Sequence, residues 1–358
     1  MSGAASGVAD PVRVGLIGFG FAGRTFHGPM IEALPELELV SVCTTQPDEA
    51  RSRHPGARVA ASPDELIDDP AVELVVVATP NVLHAPLARR ALDRGRHVLV
   101  EKPFSLDLAE ARTVLDAAAA ADRRLAVFHN RRWDSDFLTV RDAIRRGEIG
   151  RVAEVRSHFD RFRPVVRDRW RERDTPGGGI WLDLGPHLAD QALQLFGLPD
   201  TVSADIGALR AGAPVDDWFE VVLGYPGLRV ALHATMLAAG GAPRFTLHGD
   251  RGSLVKAGAD RQEAQLLQGA RPGCADWGAD PDPLLLWDED GVRREVPALR
   301  GDQCELYRQL AAAIRTGTPN PTPPSDVLAV MTVLDAARRS AREGRVVALD
   351  QRAGTGTV

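Results

Sequence analysis

Short apolar runs alternate with amphipathic stretches over the first third of the chain. The runs fall at 12–17, 38–43, 72–78, 96–100 and 124–128, with a weaker one at 57–61. Segments with helical spacing lie between them at 22–34, 63–68, 82–94 and 107–121. Strand runs separated by helical stretches predict a parallel sheet with crossover helices. The pattern then changes. After a predicted helix at 134–147, closed by Gly147, the alternation takes period two: Val152–Arg163, Val202–Leu209, Trp218–Tyr225, Arg229–Thr235, Phe245–His248 and Leu254–Lys256. Gly and Pro turns separate most of these runs, which predicts a mainly antiparallel sheet. Residues 257–291 are rich in Gly, Pro, Asp and Gln, with Trp277 and Trp287 interspersed, and predict a long ordered loop or lid. Helices return at 302–316 and 325–343, Gly344 ends the second, and 346–349 makes a last strand.

The first strand runs into Gly18-Phe19-Gly20-Phe21-Ala22-Gly23, a G-x-G-x-x-G spacing at the point where a helix begins. In a dinucleotide site the first glycine makes the tight turn, the second lets backbone amides approach a pyrophosphate, and the third allows close helix-on-strand packing. A glycine-rich turn is the plain alternative, so the neighbouring strand ends matter. Ligands of open α/β sheets bind beyond the carboxyl ends of the strands. Those positions hold Thr44-Thr45-Gln46, Thr79-Pro80-Asn81, Glu101-Lys102-Pro103 and His129-Asn130. Each could be an ordinary turn or cap; together they rim one cleft. The expected fold is α/β, with an N-terminal Rossmann dinucleotide-binding domain at 1–128. A C-terminal α/β domain with a large, mainly antiparallel sheet follows at 129–358, for substrate binding and oligomerisation.

Composition narrows the partners. The 358 residues carry a net charge of -6 with a pI near 5.9, which gives no reason to expect nucleic acid or an anionic membrane surface. No window approaches the roughly 18 apolar residues of a membrane span, and residues 1–10 read as a small, polar, flexible tail without a targeting pattern. A cytoplasmic protein is expected. Cys43, Cys274 and Cys304 are odd in number and far apart, against a disulfide framework or zinc knuckle. No metal-ligating set is read.

The stretch Gly177-Gly178-Gly179-Ile-Trp-Leu-Asp183-Leu-Gly-Pro186-His187 carries candidate chemistry. On a helix Asp183 and His187 share one face. Pro186 either bends that helix or starts a new one, and in the second case Asp183 only caps.

These residues resemble the Gfo/Idh/MocA oxidoreductases over nearly the whole chain. The likeness rests on the Gly18–Gly23 fingerprint, Thr79-Pro80-Asn81-Val-Leu-His84, Glu101-Lys102-Pro103, and Gly177–Gly179 with Asp183 and His187. Phe26-His27-x-Pro29, His129–Asp134, Asp183–Leu188 and the Gln262–Ala264 to Gly278 region resemble a branch of NADP-dependent inositol and sugar dehydrogenases. The resemblance implies hydride transfer between a nicotinamide cofactor and a secondary alcohol of a cyclic polyol or sugar such as an inositol. It makes His187 the general base in oxidation and acid in reduction, with Lys102 at the reacting oxygen and Asp183 as positioner. It also makes the Lys102–Pro103 bond a candidate cis peptide. Cofactor contacts are expected from Gly18, Phe19, Gly20, Phe21, Ala22, Gly23, Thr44, Thr45, Thr79, Pro80, Asn81, His84, Glu101, Lys102, Asn130, Trp170 and Arg171. After the second strand Cys43-Thr44-Thr45-Gln46-Pro47 offers no acid before Asp48, and Arg51 and Arg53 follow, which favours NADP over NAD.

Other residues stay open. His84 can support the nicotinamide or cap a helix, and His158 reads as a sheet-surface residue or one facing substrate. The Arg161–Arg173 run, with Arg131 and Arg132, is solvated, subunit-facing or set to attract an anionic substrate. His27 reads as helix packing. In the family the open sheet face makes subunit contacts, so a homodimer or homotetramer is implied. The alternatives are an NAD-dependent sugar lyase or glycosidase of the same fold, and a non-catalytic sensor of a sugar or nucleotide.

Overall fold

The computed structural model describes residues 10–350, so the expected N-terminal tail lies outside the described residues apart from Asp10. The apolar runs of the first third become six short parallel strands: β1 (Val12–Ile17), β2 (Leu37–Cys43), β3 (Arg58–Ala60), β4 (Leu74–Val77), β5 (His97–Val100) and β6 (Leu125–Val127). Their order, β3-β2-β1-β4-β5-β6, is that of a dinucleotide-binding sheet. β4 is buried along its whole length, as a strand covered by helices on both faces must be. The crossing helices are Gly28–Glu32, Pro47–Arg53, Pro63–Asp68, His84–Asp93 and Leu108–Ala121. The helix expected at 22–34 opens with a π-helical turn at Gly23–His27. Ser62 and Asp107 cap their helices by accepting the N–H of Glu65 and Glu110.

Among the described residues the second sheet has nine strands. They are β7 (Val152–His158), β8 (Thr201–Gly207), β9 (Trp218–Tyr225), β10 (Leu228–Thr235), β11 (Phe245–Gly249), β12 (Gly252–Lys256), β13 (Leu284–Asp288), β14 (Arg293–Val296) and β15 (Val347–Ala348). The order is β14-β13-β12-β11-β7-β10-β9-β8-β15, antiparallel throughout except where β7 pairs with β10. One face packs on the helices Ile180–Phe196 and Pro324–Glu343, with Phe219, Val221, Leu223 and Leu232 fully buried between them. Complete burial of such side chains contributes about 1.5–3 kcal/mol each.

The loop or lid expected over 257–291 is more ordered than that. It contains the helix Gln262–Leu267 and all of β13, whose hairpin with β14 extends the sheet. The charged Arg293-Arg294-Glu295 of β14 hid the strand from a hydrophobic pattern, yet charge suits an edge strand. Trp277 and Leu266 are buried in the same hydrophobic cluster as Tyr307, Phe26 and Phe128, which also takes in residues of the first sheet. The helix Cys304–Thr316 packs into that same core, so the chain returns to the N-terminal sheet after building the second one. Arg315 fixes this return through Glu73 (2.8 Å), and the pair holds the Glu73 carboxyl down at about 2. Among the described residues no helix is long and apolar enough to cross a membrane.

Candidate active site

The turn after β1 uses its glycines in two different ways. Gly18 has φ 98°, and a Cβ there would lie 2.3 Å from the carbonyl oxygen of Ala78. A Cβ on Gly23 would lie 2.2 Å from the carbonyl oxygen of Gly18. Gly20 has nothing within 4 Å, so its backbone faces open space. Phe21 beside it is exposed, whereas Phe19 is buried against His54. The loop is thus closed on itself and open toward one side, the form a pyrophosphate cradle takes.

At the end of β5 the bond between Lys102 and Pro103 is cis. Lys102 Nζ donates to the Asp183 carboxylate (Oδ1, 3.0 Å) and to the Asp183 carbonyl (2.6 Å), with both side chains largely buried. Asp183 lies in the first turn of the Ile180–Phe196 helix, which runs unbroken through Pro186. Proline at that position removes the donor for the Leu182 carbonyl and loosens the turn, and the adjoining carbonyl of Asp183 is the one that Lys102 takes. Burial would raise the Asp183 pKa, but Lys102, Arg171 (3.4 Å) and Arg161 (3.7 Å) together hold it well below the ordinary carboxylate range. It is an anion among three cations.

His187 follows one turn later on the same face and is buried. Burial, then the charge of Lys102 and Arg131, pushes its pKa well below the ordinary imidazole value. That direction favours the neutral imidazole. Among the described residues its Nδ1 finds no hydrogen-bond partner.

Behind Lys102 sits an assembly that sequence reading missed. Glu101 accepts from the Lys102 N–H (3.0 Å) and contacts His27 Nε2 (3.0 Å), while His27 Nδ1 meets the Tyr307 hydroxyl (2.7 Å). Burial opposes the charge on Glu101, but its bond with His27 and the nearby Lys102 keep its pKa lowered. His27 is therefore more than helix packing. The signal was present in Phe26-His27, but Tyr307 lies 280 residues away and only the returning helix supplies it.

The remaining expected cofactor positions lie as follows. His84 bridges two strand-end loops through the carbonyls of Pro103 (2.7 Å) and Thr79 (2.9 Å), and burial pushes its pKa down. Asn81 donates to the Gly177 carbonyl (2.9 Å), joining the end of β4 to the second glycine segment. Pro80 precedes it, and the Thr79 hydroxyl is buried without a partner. Asn130 is buried against Gln303 (2.9 Å). The Thr44 hydroxyl accepts the Gln46 N–H (3.0 Å) and Thr45 is exposed. Asp48 is almost fully exposed and pairs with Arg51 (2.9 Å), while Arg53 pairs with Glu49 (3.2 Å). Arg171 stacks on Trp170, with its guanidinium carbon 4.5 Å from the ring centroid.

The arginines divide by partner. Arg131 and Arg132 are buried structural ions, held by Asp134 and Glu263 and by Asp190 and Asp326 respectively. Arg167 and Arg169 pair with Glu172. Arg161 reaches Asp183 from the strand side, a site-facing residue hidden within an arginine-rich run.

Residues 12–129 match the model of the oxidoreductase family's NAD-binding Rossmann fold, and 141–349 that of its C-terminal alpha/beta domain. The chain is 44% identical to the uncharacterized oxidoreductase YdgJ of Escherichia coli K12, over 96% of this chain and 100% of that one. It is 34% identical to the NADP-dependent scyllo-inositol 2-dehydrogenase IolW of Bacillus subtilis, over 95% of this chain and 97% of that one. A crystal structure of a Klebsiella pneumoniae protein, 49% identical and covering 96% of each chain, superposes with a TM-score of 0.90. The parallel sheet with its glycine turn and the mostly antiparallel second sheet agree with these matches, and the chain belongs to the Gfo/Idh/MocA family of oxidoreductases.

Proposed function

We propose that the protein moves a hydride reversibly between a nicotinamide cofactor and a secondary alcohol of a cyclic polyol or sugar such as an inositol, with NADP preferred to NAD. The observation that carries this reading is the buried Lys102–Asp183 contact, which sets an ammonium group at the end of β5 against the helix that also holds His187. The glycine turn fits a dinucleotide, because Gly20 opens on free space while Gly18 and Gly23 close on backbone. Residues 1–128 would hold that cofactor, and 129–358 the substrate and a second copy of the chain, as a homodimer or homotetramer in the cytoplasm. When bound, the cofactor supplies the hydride acceptor or donor.

The protein's own groups handle the proton and the oxygen. Lys102 donates to the reacting oxygen and lowers the cost of its alkoxide. His187, its proton affinity lowered by burial and by Lys102, takes the hydroxyl proton in oxidation and returns it in reduction. Asp183 aims Lys102 by holding its ammonium group at two oxygens. The cofactor preference is supported by the absence of an acid directly after β2 and by Asp48 being turned to solvent in an ion pair with Arg51. IolW, whose name specifies NADP and scyllo-inositol, supports both halves of the reading.

The test is reduced-nicotinamide absorbance with purified protein, NADP or NAD, and a panel of inositols and sugars. NADPH should form with at least one polyol. No reduction with any of them, together with release of the leaving group from an aryl glycoside, would replace this reading by a lyase or hydrolase.

A further inference from the structure

The nine-stranded sheet has a second face, turned away from its helices, and the ends of β7 and β10 place a compact donor set there. His158 and His233 are register partners across the β7–β10 pair. The neighbours Ser157, Leu232 and Ala234 are buried toward the helices, so the alternation of a strand sends both imidazoles to the opposite face. Their ring centroids are 5.0 Å apart. Asp160 joins them from just beyond β7, with its side chain 6% exposed.

One nitrogen from each ring and a carboxylate oxygen all lie within 4.8 Å of one another. His158 Nδ1 is 3.4 Å from Asp160 Oδ2, and His233 Nε2 is 3.7 Å from Asp160 Oδ1. Neither contact is a hydrogen bond: among the described residues His158 Nδ1 and Asp160 Oδ1 are buried without partners, although Asp160 Oδ2 accepts the Ala242 N–H (3.1 Å). Each such unpaired buried atom costs about 1–3 kcal/mol. The three side chains therefore face one another at 3.4–3.7 Å without a hydrogen bond between them.

Such a spacing suits an ion. Ligand bonds of about 2.0–2.2 Å, the range for imidazole and carboxylate on zinc, separate neighbouring donors by about 3–4 Å. Two imidazoles with one carboxylate form a borderline donor set, suited to zinc and to the neighbouring first-row divalent ions rather than to calcium or magnesium. A further support stands behind His233. Its Nδ1 faces Glu220 Oε2 at 3.8 Å from the adjoining strand, where a carboxylate commonly orients a metal-binding imidazole.

We propose that His158, Asp160 and His233 bind one divalent transition-metal ion, with zinc the best fit, on the sheet face opposite the candidate active site. The ion joins β7 to β10 where the chain runs into Arg161, whose guanidinium turns the other way toward Asp183. The site was invisible in the sequence because its ligands lie 75 residues apart and only the parallel β7–β10 pairing brings them together.

The test uses the full chain, stripped with a chelator and titrated with zinc chloride by calorimetry, then with cobalt(II) for its visible absorption. One equivalent should bind with a dissociation constant of micromolar or below, and cobalt should show d–d bands without thiolate charge transfer. His233→Gln and Asp160→Asn, each checked for folding by circular dichroism, should weaken binding at least tenfold. His248→Gln and Cys274→Ser, changing exposed residues elsewhere, should leave it unaltered. Absence of stoichiometric binding, or equal affinity in the site variants and the controls, overturns the proposal.

Discussion

Two glycine segments open helices in this protein, and they differ in what their missing side chains make room for. In the turn after β1, Gly18 and Gly23 would collide with backbone while Gly20 would touch nothing. In Gly177–Gly179 every glycine is hemmed in: a Cβ would lie 2.8 Å from Asn81 Cβ at Gly177, 2.6 Å from the Arg173 carbonyl oxygen at Gly178, and 2.0 Å from the Asp216 carboxylate at Gly179. The first segment leaves its middle backbone free for something absent from the chain. The second spends all its freedom on contacts within the chain, and those contacts seat Asp183 opposite Lys102. A glycine motif marks a ligand only where the space beside it is open.

The comparison breaks most visibly at the chemistry. Lys102→Ala should lower kcat by about a thousandfold, near 4 kcal/mol of activation free energy, while cofactor affinity changes less than threefold. Fluorescence titration with NADPH beside steady-state rates measures both. A collapse of cofactor affinity would mean that Lys102, at the end of β5, also holds the dinucleotide.

Stability should separate the two segments next. Gly179→Ala places a side chain at φ 96° against Asp216, whose carboxylate accepts the Trp181 N–H, and should cost about 2–4 kcal/mol in urea unfolding. Gly20→Ala should cost under about 1 kcal/mol but weaken NADPH binding about tenfold, because only the ligand meets the new methyl group. If Gly20→Ala binds cofactor normally, the open space beside it serves no pyrophosphate.

Two smaller effects sharpen the site itself. Thr44→Asp should weaken NADP about tenfold while sparing NAD, since a carboxylate there repels a 2′-phosphate. Equal loss for both cofactors would remove the end of β2 from cofactor choice. For His187, whose folded pKa lies below its unfolded one, the protein is stabilised at pH above the unfolded value of about 6.5 and loses that contribution as pH falls toward the folded pKa. The acid limb of kcat/KM for oxidation should correspondingly lie below pH 6.5, and an inflection at or above that value would exclude this residue as the base.

Much of the fold was legible because its signals are local. A buried parallel strand must be apolar throughout, a half-buried strand must alternate, and a helix needs caps, so β4, β9 and the Leu108–Ala121 helix are visible in the sequence. The cis bond at Lys102–Pro103 was expected from motif resemblance, whereas Pro186 left open whether Asp183 and His187 share one helix, and the structure runs one helix through both. β14 was not visible, because an edge strand needs no apolar face, and the helix Gln262–Leu267 was too short to show a period.

The chain by itself determined which residues could do chemistry, since an amine, an imidazole, a carboxylate and an unhindered glycine are properties of the residues and their neighbours. Tertiary structure decided their states. Asp183 is held ionised by cations contributed from β5, from the run beyond β7 and from the segment before its own helix. Burial and a lysine 85 positions earlier lower the proton affinity of His187. His158, Asp160 and His233 face one another because two distant strands pair in parallel. Charge and proton affinity depend on distance and on exclusion of water, and both are set by packing between segments far apart in the chain.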